Sequence, residues 1–164
     1  EFTITPVGVN KTRLDDLNKH LMLFFTGVSR FSSEIAQSQI ANMDNCINQM
    51  NELYEMVDEG SSILSNNNTP IDDFGKLLHN AWITKRSLSN KISNSTIDEL
   101  YDAAIRSGAI GGKVLGAGGG GFILFFVKPE NQDKVKRALP KLTYVPFNFE
   151  NSGSKIVVNQ PNGF

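Results

Sequence analysis

The chain has little of what would mark many protein classes. A single cysteine, Cys46, in 164 residues excludes an internal disulfide framework. Two isolated histidines, His20 and His79, with that one cysteine form no recognisable metal-ligand pattern, so no structural metal is expected. No apolar run approaches the roughly 20 residues of a membrane helix, and the first residues carry neither a basic leader nor a signal-like apolar segment. A cytoplasmic chain without membrane contact is expected. Sixteen Lys and Arg against 17 Asp and Glu leave a formal charge of -1, no electrostatic footprint for DNA or RNA. There is also no initiating methionine: Glu1 opens at once on "EFTITPVGV", which alternates like a strand. A piece of a longer polypeptide is the expectation. The length suits one domain, which buries roughly 70% of the surface of its unfolded chain.

What is abundant is glycine, and it is concentrated. In "GGKVLGAGGGGFILFFV", Gly111 to Val127, seven of the first eleven residues are glycine and the remainder is an apolar run. Each glycine inside a helix or strand costs roughly 0.5 to 1 kcal/mol relative to alanine, so Gly111 to Gly121 is read as a loop. Phe122 to Val127 is read as the buried central strand that the loop feeds, closed by Lys128 and Pro129. Two readings of the loop stand side by side: amides wrapped around an anion, or a tight packing turn. Gly116, Gly118 and Gly121 match GxGxxG, but a dinucleotide fingerprint leaves a strand and opens a helix, and the order here is reversed. A Walker A loop is excluded because no Lys-Ser or Lys-Thr follows the glycines.

Taken in order, Phe2 and Ile4 mark a first strand, "VNKTRLDDLNKH" a turn or short helix, and His20 to Phe25 a second strand. "TGVSRFSSE" follows, where Gly27 breaks the strand and Ser32 or Ser33 caps a helix. Thr26, Ser29, Ser32 and Arg30 are candidate anion contacts at that helix start; the alternative is that the serines only cap and Arg30 pairs with a surface carboxylate. Apolar residues at 36, 40, 43, 47, 50, 54 and 57 alternate in steps of four and three. They predict one long helix burying Ala36, Ile40, Met43, Ile47, Met50, Tyr54 and Val57, ended by Gly60. Thr69, Pro70, Asp72 and Asp73 predict a capped start to the next helix, with Ile71, Phe74, Leu78, Ala81, Lys85 and Leu88 continuing the same spacing and Trp82 and His79 packed beside them. Lys85 and Arg86 sit where the helix dipole favours cations. A third helix opens at Thr96 with Glu99 as capping partner and runs to Gly108. Val135 and Leu139 mark a short helix, Val145, Phe147 and Phe149 a strand that Pro146 assigns to an edge, and Lys155 to Val158 a last strand. Strands with helices on one side of a mostly antiparallel sheet give an α+β class, and the split βαβ, ferredoxin-like arrangement fits the order.

The segment "KVLGAGGGGF" resembles the third conserved motif of the GHMP sugar and metabolite kinases. "FTGVSRFSSEI", "DFGKLLHNAWITKRSLSNKIS", "IDELYDAAIRSGAIGGKVLGAGGGGFILFFVKP" and "VPFNFENSGSKIV" extend the resemblance from about Phe2 to Val158, toward the branch acting on D-glycero-D-manno-heptose 7-phosphate. The resemblance implies that residues 1–164 are the C-terminal, acceptor-side domain of such a kinase. It implies an N-terminal domain, not found here, as partner, holding ATP and Mg²⁺ together with the acidic catalytic residue. The substrate it implies is a sugar phosphate, phosphorylated at its anomeric hydroxyl. Carried onto this chain, Gly116, Ala117, Gly118, Gly119 and Gly120 would wall the cleft, Thr26, Ser29 and Arg30 would face it, and Lys113 would contact the acceptor's phosphate. No catalytic residue and no metal ligand is assigned within the chain, and the domain by itself is expected to be inactive. The other readings are a free-standing ferredoxin-like module that binds a small anionic ligand, and a purely structural or dimerising domain.

Overall fold

The structure is a computed structural model, and it describes residues 7–28, 32–150 and 153–154. The strands expected at Phe2 to Ile4 and at Lys155 to Val158, and the candidates Ser29 and Arg30, lie outside the described residues. The elements run α1 (Lys11–His20), β1 (Leu21–Phe25), α2 (Ser32–Ala41), α3 (Ile47–Ser65), α4 (Asp72–Ser87), α5 (Ser95–Arg106), β2 (Ala109–Val114), β3 (Phe122–Val127), α6 (Gln132–Ala138) and β4 (Thr143–Val145). Short 3₁₀ turns at Met43–Asn45 and Pro129–Asn131 join two of them.

The four strands pair antiparallel in the order β2-β3-β1-β4. Two antiparallel steps leave β1 and β2 parallel with β3 between them, which is the split βαβ, ferredoxin-like topology. Strict alternation along β3 divides the interior in two. Ile123, Phe125 and Val127 face a core shared with Met22, Phe24, Val114, Trp82, Tyr101, Val135 and Leu139. Phe126 faces a smaller cluster on the other side, with Leu17, Leu21 and Ile71 and with Phe74, Leu78 and Ile110 against it. Helices therefore cover both faces of the sheet, not one, because a strand this apolar on both sides must be buried on both. The short β4 is an edge, and Pro146 follows it directly, as the missing amide donor of proline requires.

The strand β2 corrects the expectation that the chain is a loop from Gly111. Gly111 and Gly112 pair with Phe126 and Phe125, after a bulge between Ala109 and Gly111. Their glycines are explained by crowding, not by a turn. A Cβ on Gly111 would collide with the Gly75 carbonyl and lie 2.8 Å from the His79 nitrogen, and one on Gly75 would lie 2.6 Å from the Phe126 ring. Helix α4 thus lies directly on the edge strand, and the lost propensity is offset by that close packing.

The long helix expected from Ala36 to Val57 is also corrected. It is broken at Asn42–Cys46, where Asn42 Nδ2 donates to the Leu88 carbonyl at 2.9 Å. Its expected inward stripe is turned to solvent: Ile47, Tyr54 and Val57 are 57%, 75% and 66% exposed, and Ala36, Ile40 and Met43 are exposed too. Helix α3 instead turns Leu53, Met56, Gly60 and Leu64 toward α4, a stripe of the same spacing shifted by about one residue. Gly60 does not end the helix; it lies inside it, where a Cβ would press Leu77 at 3.3 Å. Helix α4 starts without a side-chain cap, because Ile71, which has no polar side-chain atom, holds the N-cap position; just upstream, the Thr69 carbonyl and that of Ile63 receive the buried Arg13 guanidinium at 2.8 and 2.7 Å. Helix α5 is capped by Asn94, whose Oδ1 accepts from the Ile97 amide at 3.0 Å, two residues ahead of the expected Thr96.

Two substitutions separate these packings. Gly111→Ala should cost about 3 kcal/mol, because the methyl group meets backbone that cannot move aside, while Tyr54→Ser should stay within about 0.5 kcal/mol. Urea denaturation of each variant measures both.

Candidate functional site

The connection from β2 to β3 is the seven-residue loop Leu115–Gly121, closed by the Leu115 amide on the Phe122 carbonyl at 2.8 Å. Seven residues spanning two paired strands leave carbonyls that strand pairing cannot satisfy. Four side chains from four different elements supply them. Lys85 Nζ, on the last turn of α4, donates to the Gly116 carbonyl at 2.7 Å. Gln39 Nε2, from α2, donates to the Ala117 carbonyl at 3.1 Å. Asn94 Nδ2, whose oxygen caps α5, reaches the Gly119 carbonyl at 3.4 Å. Thr26, just past β1, gives both its amide, at 2.8 Å, and its hydroxyl, at 2.9 Å, to the Gly121 carbonyl.

Two amides are also anchored: Gly119 donates to the Ile92 carbonyl at 2.8 Å and Gly121 to the Val28 carbonyl at 2.7 Å. The amides of Gly116, Ala117, Gly118 and Gly120 donate no hydrogen bond among the described residues. The loop is thus held by its carbonyls and two of its amides, and the N–H groups of Gly116, Ala117, Gly118 and Gly120 keep their donor capacity, the kind of group that anion-binding turns use. Glycine is required for this path: Gly118 has φ +117°, and a Cβ there would lie 2.5 Å from the Ile92 carbonyl.

Two lysines flank the loop. Lys113, half-buried on β2 opposite Leu124, shares a groove between α3 and α4 with Ala81, one helical turn before Lys85. Burial of the Lys85 ammonium, and second the charge of Lys113, hold its pKa below the ordinary lysine value. Neither lysine makes an ion pair among the described residues, whereas Arg86, beside Lys85, pairs with Asp98 at 3.1 Å. Beneath the site, His79 Nδ1 and the Tyr101 hydroxyl lie 2.8 Å apart, and burial pushes the Tyr101 phenol upward. No three His, Cys, Asp or Glu side chains gather to hold a metal ion among the described residues.

Of the sequence candidates, Thr26, Lys113 and Gly116 to Gly120 come together at one end of the sheet, and the hydroxyl of Thr26 is already engaged with Gly121. Sequence reasoning passed over Lys85, Gln39 and Asn94. The pattern places Lys85 in the helical stripe and at the favourable end of the helix dipole; its target, 31 residues further on, carries no local signal.

A split βαβ domain with a carbonyl-clamped glycine hairpin is the class that the fold and the loop define. Residues 65–145 match the model of the GHMP kinases C terminal family, and the chain carries that C-terminal domain. It is similar to the D-glycero-alpha-D-manno-heptose 7-phosphate kinase of Campylobacter jejuni, 28% identical over 159 residues that cover 93% of this chain and 45% of the relative. Among solved structures it is similar in fold to a D-glycero-D-manno-heptose 1-phosphate kinase from Bacteroides thetaiotaomicron, with TM-score 0.61 and 23% identity over 90% of this chain and 38% of that one. The mevalonate kinase of Methanococcus jannaschii has the same fold, with TM-score 0.65 and 23% identity over 83% of this chain and 42% of that one. The chain spans less than half the length of the curated relatives that it matches. No helix among the described residues is long and apolar enough to cross a membrane.

The loop's tolerance should be graded. Gly116→Ala, at φ +72° with open space around it, should cost about 1 kcal/mol from backbone strain alone. Gly118→Ala adds the clash with Ile92 and should cost about 2 kcal/mol or more, with faster hydrogen exchange at Gly119. Thermal melts with amide exchange check both.

Proposed function

We propose that this chain is the acceptor-side domain of an ATP-dependent sugar-phosphate kinase, acting on D-glycero-D-manno-heptose 7-phosphate at the anomeric hydroxyl. The single observation that carries the reading is the glycine loop: its carbonyls are pinned by Lys85, Gln39, Asn94 and Thr26, which leaves amides to meet a phosphorylated ligand. The similarity to a heptose 7-phosphate kinase over 93% of this chain supports the choice of acceptor.

In such a transfer the anomeric oxygen attacks the γ-phosphorus, the bond from that phosphorus to the β-γ bridging oxygen breaks, and the hydroxyl proton passes to a base. The protein's part is chiefly to position the reactants and neutralise charge. The residues of this chain bind and orient the acceptor: the amides of Gly116 to Gly118 and Gly120 and the cation of Lys113 hold its phosphate, with Arg30 and Ser29 as further contacts. Gly119 and Thr26 keep the wall in place. The base, the nucleotide-holding loop and the Mg²⁺ ligands belong, in this reading, to an N-terminal domain of the same polypeptide, and the reaction takes place in the cytoplasm, where ATP and its acceptor meet.

The test is an assay of the polypeptide in which this chain follows a nucleotide-binding domain. Expected is ATP-dependent formation of a heptose 1,7-bisphosphate, no turnover by residues 1–164 alone, and a KM for the sugar phosphate raised about tenfold by Lys113→Ala with kcat little changed. Turnover by the isolated chain would overturn the division of labour. Transfer to a non-sugar acceptor in preference to any sugar phosphate would overturn the substrate.

A further inference from the structure

Helix α3 carries more apolar spacing than its own domain uses. The stripe that includes Leu53, Met56 and Gly60 turns toward α4, while Ile47, Tyr54 and Val57, with Met50 between them, stand on a face that nothing covers among the described residues. Steps of three and four make this second series a seam of the kind on which another helix packs, knobs into holes. It does not stop at Val57. The next positions at the same spacing are Ser61 and Leu64, and Val57, Ser61 and Leu64 all line a groove of about 680 Å³ whose other wall is Phe74, Leu77 and Leu78 of α4. Seam and groove are one continuous apolar surface. The two helices run antiparallel, with Cys46 beside Leu88 and Gly60 beside Leu77, so the groove between them follows the helix axes and has the form that receives a third helix.

Charge narrows what can fill it. Between Arg30 and Lys76 the sequence has eight acidic residues, Glu34, Asp44, Glu52, Glu55, Asp58, Glu59, Asp72 and Asp73, and no Lys, Arg or His, in a chain whose net charge is only -1. Asp72 pairs with Lys128 and Asp73 with Lys76; the other six enter no ion pair among the described residues. Four of those six lie on α3, and Asp58 borders the groove itself. A second copy of this chain would set the acids of one α3 against those of the other. A helix with Lys or Arg beside an apolar stripe satisfies both the seam and the charge. Val7, the first described residue, lies in the same groove, so the polypeptide upstream of it enters the domain beside the seam.

We propose that the α3 seam and the α3–α4 groove receive a basic amphipathic helix of the domain that precedes this chain in the same polypeptide. The proposal rests on the reading of the chain as the second part of a kinase; its new elements are the surface that joins the two parts and the chemistry of the helix seated there. Tyr54 and Val57 are its apolar anchors, and Asp58 and Glu55 its charge partners. Lys113 of β2 also lines the groove, so the docked helix and the candidate acceptor contact share one strand.

The experiment uses the polypeptide in which this chain follows a nucleotide-binding domain. A carbodiimide joins a carboxylate to a lysine amine as an amide and takes up the water as a urea. Expected are such cross-links from Glu55 or Asp58 to a lysine of the preceding domain, located by peptide mass spectrometry, and slow hydrogen exchange across Ile47–Ser65. Tyr54→Ser combined with Val57→Ser should speed that exchange about tenfold, and Asp58→Lys about threefold, while exchange in α5 stays unchanged and so reports any variant that has unfolded. In residues 1–164 alone the same substitutions should leave the urea midpoint almost unmoved, which separates a lost partner from a weakened helix. An arginine partner gives no cross-link, and the exchange result then decides. Mixing ¹⁴N and ¹⁵N protein tells cross-links within one polypeptide from those between two; cross-links between two copies at α3 overturn this occupant in favour of a second copy. Absence of cross-links together with exchange that the substitutions do not change overturns the surface, and turnover of heptose 7-phosphate by that polypeptide leaves the kinase reading standing. Cross-links and substitution-sensitive exchange in a polypeptide that phosphorylates no sugar phosphate uphold the surface and overturn that reading.

Discussion

Everything at the candidate site depends on how closely α4 approaches β2. Gly75 and Gly111 meet backbone to backbone, and no side chain fits between them. That contact places α4 against the edge of the sheet, with Phe74 and Leu78 toward one core and Trp82 toward the other. It also brings the last turn of the helix level with the hairpin that leaves β2, so that Lys85 reaches Gly116. A side chain at either glycine would lift the helix away from the sheet, and the tether would lengthen with it.

The loop follows from that frame by a separate physical necessity. A seven-residue hairpin loop has more polar backbone than its own turn geometry can pair, and buried carbonyls require donors. Here the donors come from α2, α4, the cap of α5 and the end of β1. Each of these contacts joins residues far apart in the chain, so the loop is ordered by the assembled domain and not by its own sequence. Asn94 shows the economy of the arrangement, capping α5 with its oxygen and reaching Gly119 with its nitrogen. The buried Arg13 plays a comparable part on the opposite face, where it gathers the end of α3 and the approach to α4 through two carbonyls.

Much of the architecture was legible from pattern. The apolar run of β3, the amphipathic spacing of α4 and α5 and the edge position of β4 are local properties of the chain, and they lead to the α+β class. Helix α3 shows the limit of that reasoning. Two stripes, one through Ile47, Met50, Tyr54 and Val57 and one through Leu53, Met56, Gly60 and Leu64, satisfy the same period. Hydrophobicity favoured the first, yet the second faces α4, because only its glycine allows the helices to come close. The glycines of β2 misled for the same reason: propensity marks them as loop residues, while α4 at Gly111, and the Leu124 carbonyl and Phe125 ring of β3 at Gly112, leave no room for a side chain.

The sequence by itself determined that a glycine-rich connection precedes a largely buried strand, that the chain has no disulfide framework, and that its elements follow the order of a split βαβ domain. These are consequences of composition and short-range periodicity, which act within a few residues. Only the tertiary structure decided which glycines turn the chain and which admit a neighbouring backbone. It alone showed that Lys85 is bound to the loop, at the Gly116 carbonyl. Charge pairing and carbonyl satisfaction depend on distances between residues tens of positions apart, and those distances exist only once the helices have packed on the sheet.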